Sequence, residues 1–375
     1  MRKFDLLVIG GGLAGCATAY FATRLGASVA LLERRDLNLA ASGSNAGSIH
    51  AQIPFDPFRQ MGEQWAHDYA RTIPLFMASI RRWSELEDEL DGSLGVSARG
   101  GLMAAADDGD MALLERKVAI ERAAGLPVEL WDRSRLSREA PFLNPGIAGA
   151  SFCPIEGKAD PFKATPLFAR RAAERGATIV RNAEVLRIDR DATGFSVHSG
   201  AGVYRADRLV NAAGAEAAAI GRMVGVDVAL EGHPIQVSVT EKRPALLPWL
   251  VYFTGEKLTL KQSADGGYLI GGGWPANANG GRPSVNLASL ARNLSIAEEV
   301  MPGLSGVSVV RSWAAVVNGT ADWQPILGEA PGVPGFFFNL FPWMGFTAAP
   351  AISEAIAHLA LGRKPELDLA PFSLS

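Results

Sequence analysis

Residues 4–15 read Phe-Asp-Leu-Leu-Val-Ile-Gly-Gly-Gly-Leu-Ala-Gly, and Glu33 ends the next apolar stretch. Leu6, Leu7, Val8 and Ile9 form a short apolar run suited to a buried parallel strand. Gly10, Gly12 and Gly15 then give the G-x-G-x-x-G spacing. The first glycine permits the tight turn, the second lets a pyrophosphate approach the backbone, and the third lets helix and strand pack closely. A helix over about residues 13–25 would turn its free N–H groups and positive dipole end toward the phosphates. Residues 28–32 read as the second strand. Glu33 at its end can accept hydrogen bonds from ribose hydroxyls, and its charge argues against a 2′-phosphate. The glycines alone are a weak signal. A strand before them, a helix after them and an acid about 20 residues on make the signal specific for a dinucleotide.

Met1-Arg2-Lys3 followed by an apolar stretch and Leu13-Ala14-Gly15-Cys16 imitates a short lipoprotein signal. Asp5 interrupts the charged-to-apolar transition, and three glycines make a poor apolar helix. The same residues serve better as strand, turn and helix.

The rest of the chain bounds the class. Its 375 residues suffice for two domains with sizeable cores. A net charge of −3 offers no basic field for nucleic acid or anionic lipid. With 48% hydrophobic and 20% charged residues the composition is globular. No run reads as a membrane span. Cys16 and Cys153 make neither a disulfide framework nor a metal cluster, and a reducing cytoplasm is the expected compartment.

Residues 41–50 (Ala-Ser-Gly-Ser-Asn-Ala-Gly-Ser-Ile-His) are small and polar and predict a loop passing close to a ligand. Residues 65–90 are helical by pattern, with Tyr69, Ile73, Phe76, Ile80 and Trp83 on one face. Residues 85–89 read as a solvated acidic face, and 110–124 as a charged amphipathic helix. A new unit starts near 157–161, where Pro161 opens a helix to about 175. Strands follow at 178–180 and 184–189. Residues 194–197 and 202–204 suggest a hairpin, and 207–212 a separate buried strand running into Ala213-Gly214. Residues 230–275 are strand-rich, 287–300 helical and 307–313 a strand. A strand at 335–339 precedes a helix over about 348–361. No repeat or low-complexity linker divides the chain, so the domains are expected to interleave.

These motifs together resemble the D-amino-acid-oxidase-like superfamily of FAD-dependent amine oxidoreductases. The resemblance spans nearly the whole chain. It rests on the glycine fingerprint with Glu33, on Gly-Lys-Ala-Asp-Pro-Phe-Lys-Ala-Thr at 157–165, on Leu-Val-Asn-Ala-Ala-Gly at 209–214, on residues 311–328 ending in Pro-Ile-Leu-Gly, and on Gly345 before the last helix. Within that superfamily, Ser44-Asn45-Ala46-Gly47-Ser48-Ile49-His50 is most similar to the β (FAD) subunits of opine, proline or hydroxyproline, and sarcosine dehydrogenases. The fold implied is α/β plus α+β. A Rossmann-like, glutathione-reductase-type FAD domain (1–80, 145–225 and 320–375) interleaves with a substrate domain on a mixed or antiparallel sheet (81–144 and 226–319). The activity implied is oxidation of a CH–NH bond to an imine by hydride transfer to flavin N5, within a heteromeric dehydrogenase. The alternative is a self-sufficient glycine, D-amino-acid or sarcosine oxidase that releases hydrogen peroxide. A second flavin, FMN, at a subunit interface and further partner subunits also follow from the resemblance. Two departures matter. No arginine follows Trp313 to clamp a carboxylate, and the C-terminal flavin loop has no cysteine, so the FAD is expected to be non-covalent.

The cofactor contacts expected are Gly10, Gly12, Gly15, Glu33 and Arg34 around the ADP half. Ser42, Ser44, Asn45, Gly47 and Ser48 fall along the flavin and ribityl side. Val185 faces adenine, and Ala213 and Gly214 the pyrophosphate. Met344, Gly345, Phe346 and Thr347 open the last helix, whose dipole favours negative charge on the reduced ring. On the substrate side His50 could take a proton near neutral pH, or simply bond to backbone at a domain seam. Lys261 pairs a carboxylate or is a solvated strand lysine. Arg311 is a substrate anchor or half of an internal ion pair. Tyr252 and Trp274 could wall the pocket.

Overall fold

Leu6, Leu7 and Val8 are fully buried and Ile9 nearly so, as a strand covered on both faces requires. A computed structural model describes residues 3–278 and 282–374, so Met1 and Arg2 of the lipoprotein-like stretch lie outside the described residues. The strand Lys3–Ile9 sits inside an eight-stranded sheet, between parallel neighbours Val29–Leu32 and Gly202–Asn211. Thr178–Val180 and Phe336–Leu340 extend the parallel run, and Ile326–Glu329 closes one edge antiparallel. The helix Leu13–Arg24 follows the glycine turn. There a Cβ at residue 15 would stand 1.9 Å from the Gly10 carbonyl oxygen, so only glycine lets helix and strand meet.

Residues 202–204 and 207–212 form one strand rather than two. The first half of Gly202–Asn211 pairs antiparallel with Gly194–Ser199, and from Arg205 onward it also runs parallel to Lys3–Ile9. Arg205, Asp207 and Arg208 disguise the continuity. Their charges lie on a part of the strand that is only half-buried, where Arg205 pairs with Asp191 and Asp207 with Lys3.

The second eight-stranded sheet runs, in order, Val309–Gly319, Glu231–Lys242, Gly267–Gly271, Thr259–Gln262, Leu250–Phe253, Gly101–Ala105, Gly149–Cys153 and Glu129–Asp132. All its pairings are antiparallel except that of Leu250–Phe253 with Gly101–Ala105. Gly149–Cys153 belongs to this sheet although it falls within the segment 145–225 expected in the FAD domain. Four of its residues, Gly149, Ala150, Ser151 and Cys153, are small and buried and fit between two strands.

The helical stretch expected over 65–90 is Phe55–Tyr69, a single 3₁₀ turn at Ala70–Thr72, and Ile73–Glu89. Pro74 in the first turn of the second helix explains the break, since it has no N–H to continue the ladder. The acidic run at its end is solvated at Glu85 and Asp88 but not at Glu87 and Glu89. Glu89 bonds Tyr20, Arg24 and Arg82, and Glu87 accepts from the Leu94 and Gly95 amides.

The last helix, Gly345–Ala360, begins three residues before its expected start and is buried nearly all round. Pro350 lies within its second turn and cannot donate to the preceding turn. The neighbouring helix repairs the break. Trp83 Nε1 donates to the Thr347 carbonyl (3.0 Å), while Ser79 Oγ donates to the Ala348 carbonyl and accepts from Ala351 N–H (2.8 and 3.1 Å). On its other side, Ser353 Oγ donates to the Ala14 carbonyl of the first helix. Asn339 Nδ2 donates to both Ser353 and Thr18. The first and last helices are therefore locked side by side.

Candidate active site

At the amino end of Leu13–Arg24, Gly12 caps the helix without a side chain, and Ser42 Oγ accepts the Leu13 N–H at 2.9 Å. A Cβ on residue 12 would stand 2.9 Å from that hydroxyl, so the glycine keeps open the cradle between helix and loop. Glu33 turns its carboxylate back to the turn, accepting from Gly11 N–H (2.7 Å) and Arg35 N–H (2.8 Å). Arg34 pairs with Glu216 at 3.3 Å, which brings it to the turn at Ala213-Gly214. Ala183 N–H bonds to the Glu33 carbonyl, and Val185 follows as a buried strand residue. Val185 makes no contact in the chain that marks it for adenine. These groups gather beyond the carboxyl ends of the parallel strands, where ligands of open α/β sheets bind.

Residues 41–53 connect this end to the last helix. Ala41–Ser44 is one helical turn. Asn45 Oδ1 accepts from Gly47 N–H (2.6 Å), and Trp313 Nε1 donates to the Ser44 carbonyl (2.7 Å). Gly47 has φ +74°, and a Cβ there would stand 2.1 Å from the Ala159 carbonyl. Ser48–Ile49 then pairs with Gly157–Lys158. Thr347, in the first turn of the last helix, donates to the Ser48 carbonyl and accepts from His50 N–H (3.3 and 3.1 Å). One segment thus runs from the amino end of the first helix, held through Ser42, to that of the last, held through Thr347.

Side chains grip four successive amides of this segment. Thr347 takes that of His50. Glu156 Oε1 takes those of Ala51 and Gln52 (2.6 and 2.7 Å), and Glu121 Oε1 takes that of Ile53 (2.6 Å). Both carboxylates are fully buried. Burial pushes both up from the usual carboxylate range, while hydrogen bonds and, for Glu121, the Lys117 ammonium at 2.6 Å pull them back. The helix Asp108–Ala123, expected as a charged amphipathic surface helix, therefore turns an ion pair inward. Glu156 Oε2 also accepts from Gln52 Nε2 (3.0 Å) and from the Tyr252 hydroxyl (3.4 Å).

Two cavities meet at His50. The smaller, about 100 Å³, lies under the last helix and is lined by Ser44, Asn45, Ser48, Met344 and Phe346. The larger, about 400 Å³, is mainly apolar and aromatic and is walled by Phe55, Tyr69, Met103, Tyr252, Phe253 and Trp323. They share His50, Ile235, Thr259, Gly272, Gly273 and Trp343. The His50 ring keeps some surface toward the cavities and lies nearly parallel to Tyr252, with centroids 5.9 Å apart. Burial, aided by the Lys261 charge, lowers its pKa to about 3. The expectation that His50 takes a proton near neutral pH therefore does not hold; its ring is neutral and makes no hydrogen bond among the described residues. Burial, with Glu156 close by, holds Tyr252 well above the usual phenol value.

Lys261 is neither solvated nor in either cavity. It is 2% exposed, its ammonium donates to Ser48 Oγ, and burial and nearby Lys158 drive its pKa well below the usual lysine value. Arg311 lies at the exposed end of its strand, lines neither cavity and makes no ion pair among the described residues. Trp274 also lies outside both cavities and bonds the Lys257 carbonyl. Sequence reasoning missed Gln52, Glu121 and Glu156. A pointer was available for Glu156, which immediately precedes the Gly157-Lys158 motif.

Residues 5–359 match the family described as DAO, FAD dependent oxidoreductase. The chain belongs to that family. It is 28% identical over 386 residues to the sarcosine oxidase beta chain of Rhizobium meliloti (strain 1021), covering 99% of this chain and 88% of that protein. It is 26% identical over 380 residues to an opine oxidase subunit of Rhizobium meliloti, covering 100% and 97%. The crystal structure of glycine oxidase from Geobacillus kaustophilus superposes with a TM-score of 0.90 at 24% identity, covering 100% and 99%. The residues present fit FAD. The amino end of the first helix behind Gly10, Gly12 and Gly15, where Gly12 supplies no side-chain cap, suits a pyrophosphate, and Glu33 beside the glycine turn suits a ribose. The smaller cavity below Met344–Thr347 suits the flavin ring. No helix among the described residues is long and apolar enough to cross a membrane.

Proposed function

We propose that this chain oxidises the CH–NH bond of an amino acid or secondary amine, opine-, proline- or sarcosine-like, to the imine, as the flavin subunit of a heteromeric dehydrogenase. One observation carries the reading. A largely apolar cavity of about 400 Å³ opens at His50 and Tyr252 onto a second cavity beneath the amino end of the last helix, which is where a flavin-bearing site must meet its substrate. The names of the relatives, subunits of sarcosine and opine oxidases, agree with the amine chemistry and with partner subunits. None of those names mentions FMN, and the reading includes non-covalent FAD alone.

When bound, FAD supplies the two-electron acceptor for the hydride that leaves the substrate's α-carbon. The chain's own residues do the rest. Gly10, Gly12, Gly15 and Glu33 hold the ADP half. Ser44, Asn45, Ser48 and Met344–Thr347 surround the ring. The aromatic walls exclude water and orient the amine. His50, neutral at pH 7, offers a ring nitrogen to the amine N–H, and the amine must already be neutral because this imidazole is too weak a base to take its proton.

The test is anaerobic mixing of the FAD-loaded chain with a panel of opines, prolines and N-methyl amino acids. Bleaching of the flavin band by at least one of them is expected, with turnover through a dye acceptor and little hydrogen peroxide in air. No bleaching by any amine overturns the reading. Stoichiometric peroxide from the isolated chain replaces the subunit role with a self-sufficient oxidase.

A further inference from the structure

We propose that the outer end of the main cavity seats a second, cationic group of the substrate, an ammonium or guanidinium, on the carboxylate of Asp56. This rests on the amine-oxidation reading above and adds the substrate class. The residues common to both cavities mark the reacting end. Asp56, Gln60 and Lys257 line only the larger cavity, and because Gln60 and Lys257 are exposed they mark its solvent side.

Asp56 stands in the first turn of Phe55–Tyr69, half-buried, and makes no hydrogen bond or ion pair among the described residues. Its cationic neighbours are committed elsewhere. Arg59 bonds Asp110 (2.6 Å) and the Thr254 carbonyl (2.9 Å), with its guanidinium 4.7 Å from the centre of the Phe55 ring. Lys257 is exposed and forms no ion pair with Asp56. Burial pushes the Asp56 carboxyl up, the charges of Lys257 and Arg59 oppose that, nearby Asp110 adds to it, and the net direction is upward. A carboxylate drawn out of water into an apolar, aromatic cavity without a partner is costly, and a cationic ligand group removes the cost. Aromatic walls suit such a group as well, because ring faces attract cations. The substrate inferred is an N-substituted amino acid with an extended arm ending in a positive charge.

The experiment uses the full FAD-loaded chain and a matched pair of racemic substrates, Nα-methyllysine and 2-(methylamino)heptanoate. They share the same arm length, with ammonium replaced by methyl. The rate of anaerobic flavin reduction over substrate concentration should favour the lysine derivative by about tenfold or more, as one charge-assisted contact gives. Asp56→Asn should erase most of that preference and leave the heptanoate derivative within about twofold. A second readout needs no variant and no turnover: calorimetry should show 6-aminohexanoate binding more tightly than heptanoate. Equal use of the matched pair, or equal loss for both in Asp56→Asn, overturns the inference while the amine reading stands. Failure of every amine to reduce the flavin overturns that reading instead.

Discussion

The same substitution, lysine to methionine, should have opposite effects at two buried positions. Lys117 and Lys261 are both fully or almost fully buried, at 0% and 2% exposure. Lys117 lies 2.6 Å from Glu121, one helical turn on, and Glu121 in turn holds the Ile53 amide. Lys117→Met leaves that carboxylate buried and unpaired, a loss of about 3–5 kcal/mol. Lys261 has no carboxylate partner, only the Ser48 hydroxyl, and Lys158 repels it. Desolvating its ammonium costs several kcal/mol, of which one charged hydrogen bond returns about 1.5–3, so Lys261→Met should stabilise by about 1–3 kcal/mol. At about 2.1 cal/mol/K per residue, a chain of this length has an unfolding entropy near 0.8 kcal/mol/K. The expected shifts are then a Tm lower by about 4–6 °C for Lys117→Met and higher by about 1–4 °C for Lys261→Met. The assay is thermal unfolding by circular dichroism, run from pH 7 to 10. Lys261 has a lowered pKa when folded, so between that lowered value and the ordinary lysine value of 10.5 the unfolded chain holds more protons than the folded one. Wild-type stability therefore rises with pH in that window, and the advantage of Lys261→Met should be largest at pH 7 and fade toward 10.5. A lower Tm for Lys261→Met, or a gain that is the same at pH 7 and pH 10, refutes the reasoning.

His50 is held neutral to about pH 3 when folded and takes a proton near 6.5 when unfolded. The unfolded state therefore binds more protons between those values, and stability falls as pH drops through that window. Denaturant melts at pH 7, 5 and 4 should show a shallower decline for His50→Gln than for wild type. Ser79→Ala strips two partners from the turn at Pro350 and should cost about 1–3 kcal/mol, seen as a lower denaturant midpoint. The same variant should release FAD faster, measured as recovery of flavin fluorescence on dilution. Glu156→Gln keeps one acceptor for the Ala51 and Gln52 amides but faces Gln52 Nε2 with another donor. It should cost about 1–3 kcal/mol in the same melts and raise KM more than it lowers kcat, since the group acts through the placement of His50 and Tyr252.

Most of the scaffold is legible in the sequence because it rests on local rules. The glycine turn, the apolar run at Leu6–Ile9 and the helix opening at Pro161 each state their conformation within a few residues. Leu287–Val300 matches its sequence pattern to the residue, and its start is capped by Asn286, whose side chain accepts from Ser289 N–H. Misreadings arise where tertiary partners override the local signal. Arg205, Asp207 and Arg208 look like a strand end, but each side of Gly202–Asn211 has a strand to pair with. Glu89 looks like solvated charge, but Arg82 and Arg24 converge on it from two helices.

The site divides the same way, and the division has a physical cause. Backbone contacts to a dinucleotide depend on glycines and turn residues at fixed spacing, so a linear pattern carries them. The groups that shape the reaction cavity are held by side chains from distant segments. Glu121 and Glu156 meet residues 51–53 across 68 to 105 positions of sequence. No spacing rule distinguishes such an acid from a surface one. Burial also inverts the chemistry that residue type suggests. His50 is the residue type that titrates near neutrality, yet at the seam of two cavities it stays neutral. Lys261 reads as a carboxylate partner, yet it faces a hydroxyl. Residue identity proposes an ionic role, but the number of polar partners that the fold supplies decides whether the group is charged. Asp56 lines the larger cavity and bonds no group among the described residues, so a cationic ligand group would supply the partner that the fold does not.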